Sequence, residues 1–370
     1  MANAPGPRHG GEIYSLARKL RTSHEKLLDF SSNTNIFAYS LTHSLVSQTP
    51  YPFLHYPDTS AAELVDAISR HEGLEPDRIL PGNGAAELIW LFLRALEPRK
   101  VLCIGPVFSE YIIACDALGI AYDILTPPTE NDFCFTPENL QNLWESEADL
   151  VILCTPNNPA GITYPNMDAV LNMLRSPRVL IDNSYREFLF SDPVSYAENS
   201  YQRYQQCIRP GVSLFTLHSF TKFFCCPGIR LGYLMGDRNQ IARVENLRPS
   251  WTISPFAQQM GGIFLTRLEE YQATLPPLRQ AVEACGRELR RLECIHPDKV
   301  FEGVSFLCCG LTSRFNAPGM TKALAARRLL VRDCDSIPGM PRNFIRIQAC
   351  PEEDFSTLLE AFDDIMADRD

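Results

Sequence analysis

The sequence predicts an α/β protein, with a mostly parallel sheet wrapped by helices and a smaller α+β second domain. Three observations carry that expectation. Between roughly residues 60 and 240, short apolar runs alternate with helical patterns. Gly, Pro or Asn bounds nearly every run, and after Pro255 the rhythm gives way to long amphipathic helices.

Residues 1–35 lack the alternation and contain Gly10-Gly11 and Ser31-Ser32-Asn33, which read as an arm packing on the rest. Ser60 to Glu63 has the spacing of a capping box, opening a helix through Arg70. Gly84 precedes an apolar helix from Ala85 to Leu96. Strands are predicted at Val101 to Ile104, Tyr122 to Leu125, Leu150 to Cys154, Val179 to Ile181, Leu214 to Leu217 and Leu231 to Met235, each rich in β-formers. Helices follow at Phe256 to Tyr271, Pro277 to Leu292 and Glu353 to Met366, with a mixed segment before the last. The organisation expected is an arm over 1–35 that belongs with the small domain, a large domain over 36–254 and a small domain over 255–370.

At 370 residues the chain has room for two or three domains of roughly 150 residues each. Apolar residues at 45% and charged residues at 21% describe an ordinary globular protein rather than a disordered or fibrous one. A net charge of -10 argues against a general nucleic-acid binder, whose footprint is basic. No apolar run reaches the length of about 18 residues that a membrane span needs. Thirteen cysteines are sparse over this length, and the beginning does not read as a secretory leader, so reduced thiols in the cytoplasm are expected. They show no C-x-x-C pair, and no metal site is expected.

Chemistry concentrates in four segments. Leu214 to Gly232 reads LFTLHSFTKFFCCPGIRLG, so a strand delivers Ser219, Thr221, Lys222 and Arg230 into a Gly- and Pro-bounded loop. Such a lysine is either a solvated loop residue or a Schiff-base amine kept partly neutral by burial and neighbouring cations. A second strand ends in Asp182 with Tyr185 three residues on. An Asp there can hold a pyridine nitrogen protonated and a Tyr can bond a ring oxygen, although helix capping and simple packing would explain the pair equally well. A third strand ends in Cys154 to Gly161, with Asn157 and Asn158 in a turn. Pro81 to Glu87 opens a helix with glycines, where backbone N–H groups can receive a phosphate.

Together these segments resemble the fold-type I pyridoxal-phosphate enzymes of the aspartate-aminotransferase superfamily, over nearly the whole chain. Within it the chain is most similar to the threonine-phosphate decarboxylases of cobalamin biosynthesis, themselves related to histidinol-phosphate aminotransferases. The residues that carry the likeness are His9 to Gly11, Leu28 to Asn35, Tyr56 to Asp58, Gly82 to Glu87, Thr155 to Pro159, Ser219 to Phe223 and Pro227 to Tyr233. The resemblance implies that Lys222 forms the internal aldimine with pyridoxal 5'-phosphate, that Asp182 pairs with the ring nitrogen, and that Tyr185 and Asn158 bond the ring oxygen. Phe108 would stack on the ring. The cofactor phosphate would be held from Gly84 by the amides of Ala85 and Ala86, by Ser219 and Arg230, and by Tyr56 from a second copy, which implies a homodimer with shared active sites.

The same likeness gives Arg346 the substrate carboxylate and counts Asn158 among the substrate-binding residues as well. It gives Arg332, with His9, Gly10 and Asn33, a substrate phosphate or phosphonate. The alternative for Arg346 is a surface arginine on an edge strand. The expected reaction is decarboxylation of a phosphorylated L-amino acid such as O-phospho-L-threonine or O-phospho-L-serine. A histidinol-phosphate-type aminotransferase, or a catalytically silent binding protein of this fold, is the alternative. The motifs serve decarboxylation and transamination alike, because the bond held perpendicular to the ring decides between them. Departures from the family pattern are Asn183-Ser184 after Asp182, Ile36-Phe37 after Asn35, Cys225-Cys226 after the lysine, and Ser305.

Overall fold

In this computed structural model, residues 10–165 and 167–368 are described. Seven strands form the central sheet in the spatial order Ile79–Gly82, Gly232–Met235, Ser213–Ser219, Arg178–Asp182, Leu150–Cys154, Lys100–Ile104 and Ala121–Leu125. Gly232–Met235 runs antiparallel to both neighbours and every other pairing is parallel. Leu150–Cys154 is buried along its whole length. Continuous apolar runs of this kind are what a parallel sheet covered on both faces requires.

All six predicted strands form, each within one or two residues of its expected limits. Ile79–Gly82, read in the sequence only as a prelude to the glycine-rich helix start, is a seventh. The register aligns the strand ends that matter, with Cys154 opposite Asp182, Asp182 opposite Leu217, and Ser219 opposite Gly232. Functional side chains therefore collect at the carboxyl edge of the parallel strands, where ligands bind in open α/β sheets.

The segment read as mixed is a four-stranded antiparallel sheet ordered Arg332–Asp333, Phe344–Gln348, Phe306–Leu311 and Ile295–Glu302. Phe344–Gln348 is an interior strand, and that rules out an edge position for Arg346. The arm joins through Leu28–Asp29, which pairs in parallel with Leu329–Leu330.

Two local expectations need correction. Ser60 does not cap the helix Ala62–Glu72. The Asp58 carboxylate accepts from the Ala62 and Ser60 amides at 2.8 and 3.0 Å, and the Ser60 hydroxyl itself donates to Asp58. Ala61, in the N-cap position, adopts a left-handed φ of 48° instead of the extended conformation a capping box needs. The long helix expected from Phe256 to Tyr271 breaks at Arg267 into Pro255–Thr266 and Leu268–Gln272. The break lets Tyr271 pack edge-on against both Phe224 and Phe264.

Candidate active site

Ser219 ends its strand and caps the one-turn helix Phe220–Phe223 by accepting from the Thr221 amide, which projects Lys222 toward the sheet edge. The Lys222 Nζ donates to Asn33 Oδ1 at 2.8 Å, and Asn33 Nδ2 donates to the Tyr185 hydroxyl at 2.6 Å. Burial, together with the Arg346 and Arg230 guanidinium groups, lowers the Lys222 amine to about 8, while Asp182 works in the opposite direction. Lysine, aspartate, tyrosine and both arginines thus share one electrostatic environment. Burial pushes the Tyr185 phenol up, with Arg346 opposing it.

Asp182 is 4% exposed. Its Oδ1 accepts from the Ser184 amide at 2.9 Å, and its Oδ2 accepts from the Tyr111 hydroxyl. Tyr111 lies on the helix Ser109–Leu118 three residues after Phe108, and the two rings meet edge-on with centroids 5.8 Å apart.

The predicted phosphate cradle is assembled from two distant segments. Gly84 opens its helix with a φ of +78°, and a Cβ there would lie 2.4 Å from Arg230 Nη2. A Cβ at Gly232 would lie 2.9 Å from the Ala85 amide nitrogen. Glycine at both positions therefore keeps the Arg230 side chain and the helix N-terminus side by side, with Ser219 opposite Gly232. The Ala86 amide follows in the same first turn.

Arg332 and Arg346 occupy directly opposed positions on antiparallel strands, and each is 4% exposed. The Arg346 guanidinium bonds the neutral oxygens of Asn158 and Ser31, stands 5.2 Å over the Phe306 ring, and leaves its buried Nε without a hydrogen bond. Arg332 Nη2 donates to Ser336 Oγ at 3.0 Å. Burial and the neighbouring Arg346 charge lower the Arg332 group below the ordinary arginine value. Like charges set directly opposite are unfavourable, so this pair is suited to receive an anion.

Most predicted residues converge here, but one stands differently from the expectation. Asn33 bridges Lys222 and Tyr185 rather than standing with Arg332. Asn158 meets Arg346 as well as the sheet edge. Tyr56, expected to act from a second copy, is 79% exposed and stacks on Trp251 with ring centroids 4.7 Å apart. Gly10 lies against the site, since a Cβ there would come within 3.2 Å of Arg346 Nη2 and 2.3 Å of the Ser31 carbonyl. His9 falls outside the described residues.

Tyr111 and Ser31 were missed from the sequence. The helical i,i+3 spacing from Phe108 is the one signal that could have pointed to Tyr111. Behind the cradle, His71, Glu72 and Glu187 bring ligand-type atoms within 4.8 Å of one another, but the Arg186 guanidinium already bonds Glu72 at 2.8 Å and supplies positive charge there. Among the described residues no helix is long and apolar enough to cross a membrane, and all thirteen cysteines are free thiols.

The cradle that two glycines keep open, a lysine near neutrality and a buried carboxylate at the neighbouring strand end fit pyridoxal 5'-phosphate. A family profile described as aminotransferase class I and II matches residues 25–362. The threonine-phosphate decarboxylase of Salmonella typhimurium is 27% identical over 347 residues, covering 92% of this chain and 91% of its own. A histidinol-phosphate aminotransferase of Desulfitobacterium hafniense is 28% identical over 329 residues, covering 85% and 84%. The solved histidinol-phosphate aminotransferase of Sinorhizobium meliloti, in complex with pyridoxal-5'-phosphate, shares the fold with a TM-score of 0.77 at 17% identity, covering 100% of this chain and 96% of that one. The chain belongs to the aminotransferase class I and II family, has the fold of the type I pyridoxal-phosphate enzymes, and takes pyridoxal 5'-phosphate as its cofactor.

Proposed function

We propose that this protein decarboxylates a phosphorylated L-amino acid, O-phospho-L-threonine or a close analogue, to the corresponding amine and CO2. The observation that carries the reading is the buried Arg332–Arg346 pair beside Lys222. A substrate with one carboxylate and one phosphate matches two facing guanidinium groups better than one with a single anionic group. The threonine-phosphate decarboxylase relative supports the same substrate class.

Arg346 binds the α-carboxylate and Arg332 the phosphate. The cofactor supplies an electron sink through its protonated ring. Asp182 would pair with the protonated ring nitrogen, and Tyr185, with Asn158, would bond the ring oxygen. The Lys222 amine, held near 8, would be available in its neutral form to hold the cofactor and, once it has taken the proton of the substrate ammonium, could return that proton to Cα. The cradle of Gly84, Ala85, Ala86, Ser219 and Arg230 anchors the cofactor phosphate, and Phe108 covers the ring.

The exposed aromatic strip of Tyr51, Phe53, Tyr56 and Trp251 is the face we assign to a second copy of the chain, with Tyr56 reaching across. The reaction is tested by incubating holoenzyme with O-phospho-L-threonine and no keto-acid acceptor. The expected result is stoichiometric CO2 and amine. Absence of CO2, with a keto acid formed only on adding an acceptor, would assign the protein to transamination of the histidinol-phosphate type.

A further inference from the structure

We propose that Tyr111 is a positioning residue that fixes the Asp182 carboxylate in one orientation, so that the proton it pairs with stays on the cofactor ring. This rests on the reading of Asp182 as the partner of the ring nitrogen. Tyr111 is 1% exposed, and its hydroxyl donates to Asp182 Oδ2 from one side while the Ser184 amide donates to Oδ1 at 2.9 Å from the other. With one donor on each oxygen, the carboxylate cannot rotate without breaking a buried hydrogen bond. The Tyr111 ring is itself held edge-on to Phe108, so the residue that covers the ring and the residue that holds its counter-charge share one helical turn. Burial, and next the Asp182 charge, raise the Tyr111 phenol well above its ordinary value, and it remains a proton donor throughout the working pH range.

A buried carboxylate with a donor on each oxygen keeps one orientation, because turning it leaves a donor unpaired. Removing the Tyr111 donor frees the Asp182 carboxylate to rotate away from the ring nitrogen, which would then hold its proton less firmly. A ring with less positive character withdraws fewer electrons from the nitrogen joined to Lys222, and that nitrogen then binds its own proton more tightly. The pH titration of the bound cofactor's visible absorption band reads this directly.

In Tyr111→Phe holoenzyme the midpoint of that titration is expected to move up by about half a pH unit. The same variant should lose about tenfold in kcat with little change in KM, the scale of one hydrogen bond to a charged group. Replacing Tyr111 with 3-fluorotyrosine, a stronger donor that keeps the packing, should move the midpoint down, so the test survives even if the phenylalanine variant loads poorly. In an Asp182→Asn background Tyr111→Phe should add no further shift, because there is no carboxylate left to tune. A midpoint unmoved by either Tyr111 change, or a shift that persists undiminished in the Asp182→Asn background, would overturn the proposal. Should Asp182→Asn alone leave both midpoint and kcat unaltered, the assignment of Asp182 fails first, which is a distinguishable result.

Discussion

In its proposed role Lys222 has two demands to meet that conflict on an exposed side chain, since it would need to be neutral enough to condense with an aldehyde and still able to donate a proton afterwards. Burial and the Arg346 and Arg230 charges meet both by holding the amine near 8. As pH rises through that value the neutral fraction grows, and the rate at which apoprotein takes up pyridoxal 5'-phosphate should rise with a midpoint near 8, measured by the growth of the visible band. Arg346→Gln removes one of the cations and should move that midpoint upward. Arg332→Gln leaves the lysine environment largely intact but deletes the proposed phosphate ligand. Its kcat/KM for O-phospho-L-threonine should fall about 10- to 100-fold, as expected for a charge-assisted hydrogen bond, while cofactor occupancy is retained.

At the level of residues the sequence was most informative where chemistry forces a residue type. Asp182 ends its strand as the spacing suggested, Tyr185 and Arg230 flank short helical turns, and Lys222 sits in a one-turn helix where a loop was expected. It was least informative where a residue acts through a neighbour. Nothing in the local pattern says that Asn33, in an irregular arm, lies between an amine 189 residues away and a phenol 152 residues away.

Among the elements, the central strands were legible because a parallel sheet buried on both faces needs uninterrupted apolar runs, and those runs are visible one at a time. The antiparallel sheet was not. Ile295–Glu302 carries a run of polar residues and a proline with no strict alternation of buried and exposed positions, and Arg332–Asp333 is two residues long, so neither stands out without its partners. The helix Ala62–Glu72 shows a further limit, because an Asp two residues before Ser60 provides its cap.

That helix ends in Glu72, whose carboxylate bonds Arg186 at 2.8 Å and the Tyr233 hydroxyl at 2.6 Å, tying the helix to the central strand Gly232–Met235 and to the turn that follows Arg178–Asp182. Burial opposes ionisation of Glu72, but Arg186, His218, His71 and Tyr233 overcome it and hold the group at about 2. A carboxyl group depressed in the folded state contributes stability that is complete above its ordinary value, near 4.5, and is lost as pH falls toward about 2. Glu72→Gln leaves the buried Arg186 charge uncompensated and should cost about 3–5 kcal/mol at neutral pH in denaturant unfolding. The variant should also show a shallower decline of stability between pH 4.5 and 2 than the parent protein.

For the molecule as a whole, the exposed strip around Phe53, Leu54 and Tyr56 sets an expectation about assembly. Light scattering should give twice the mass of the 41.7 kDa chain. A Tyr56→Ala variant should remain dimeric yet release cofactor faster if the residue reaches the cofactor phosphate of its partner. Retention of cofactor at the parent rate would remove Tyr56 from the site.

Every element of the reading converges on the bond between the cofactor and one amine. Borohydride reduction of the holoenzyme fixes that bond irreversibly, and peptide mass mapping then finds its position. The pyridoxyl mass is expected on Lys222 alone, and Asp182→Asn should sharply reduce the fraction loaded. A label on another lysine, with Lys222 unmodified, would contradict the assignment of this site.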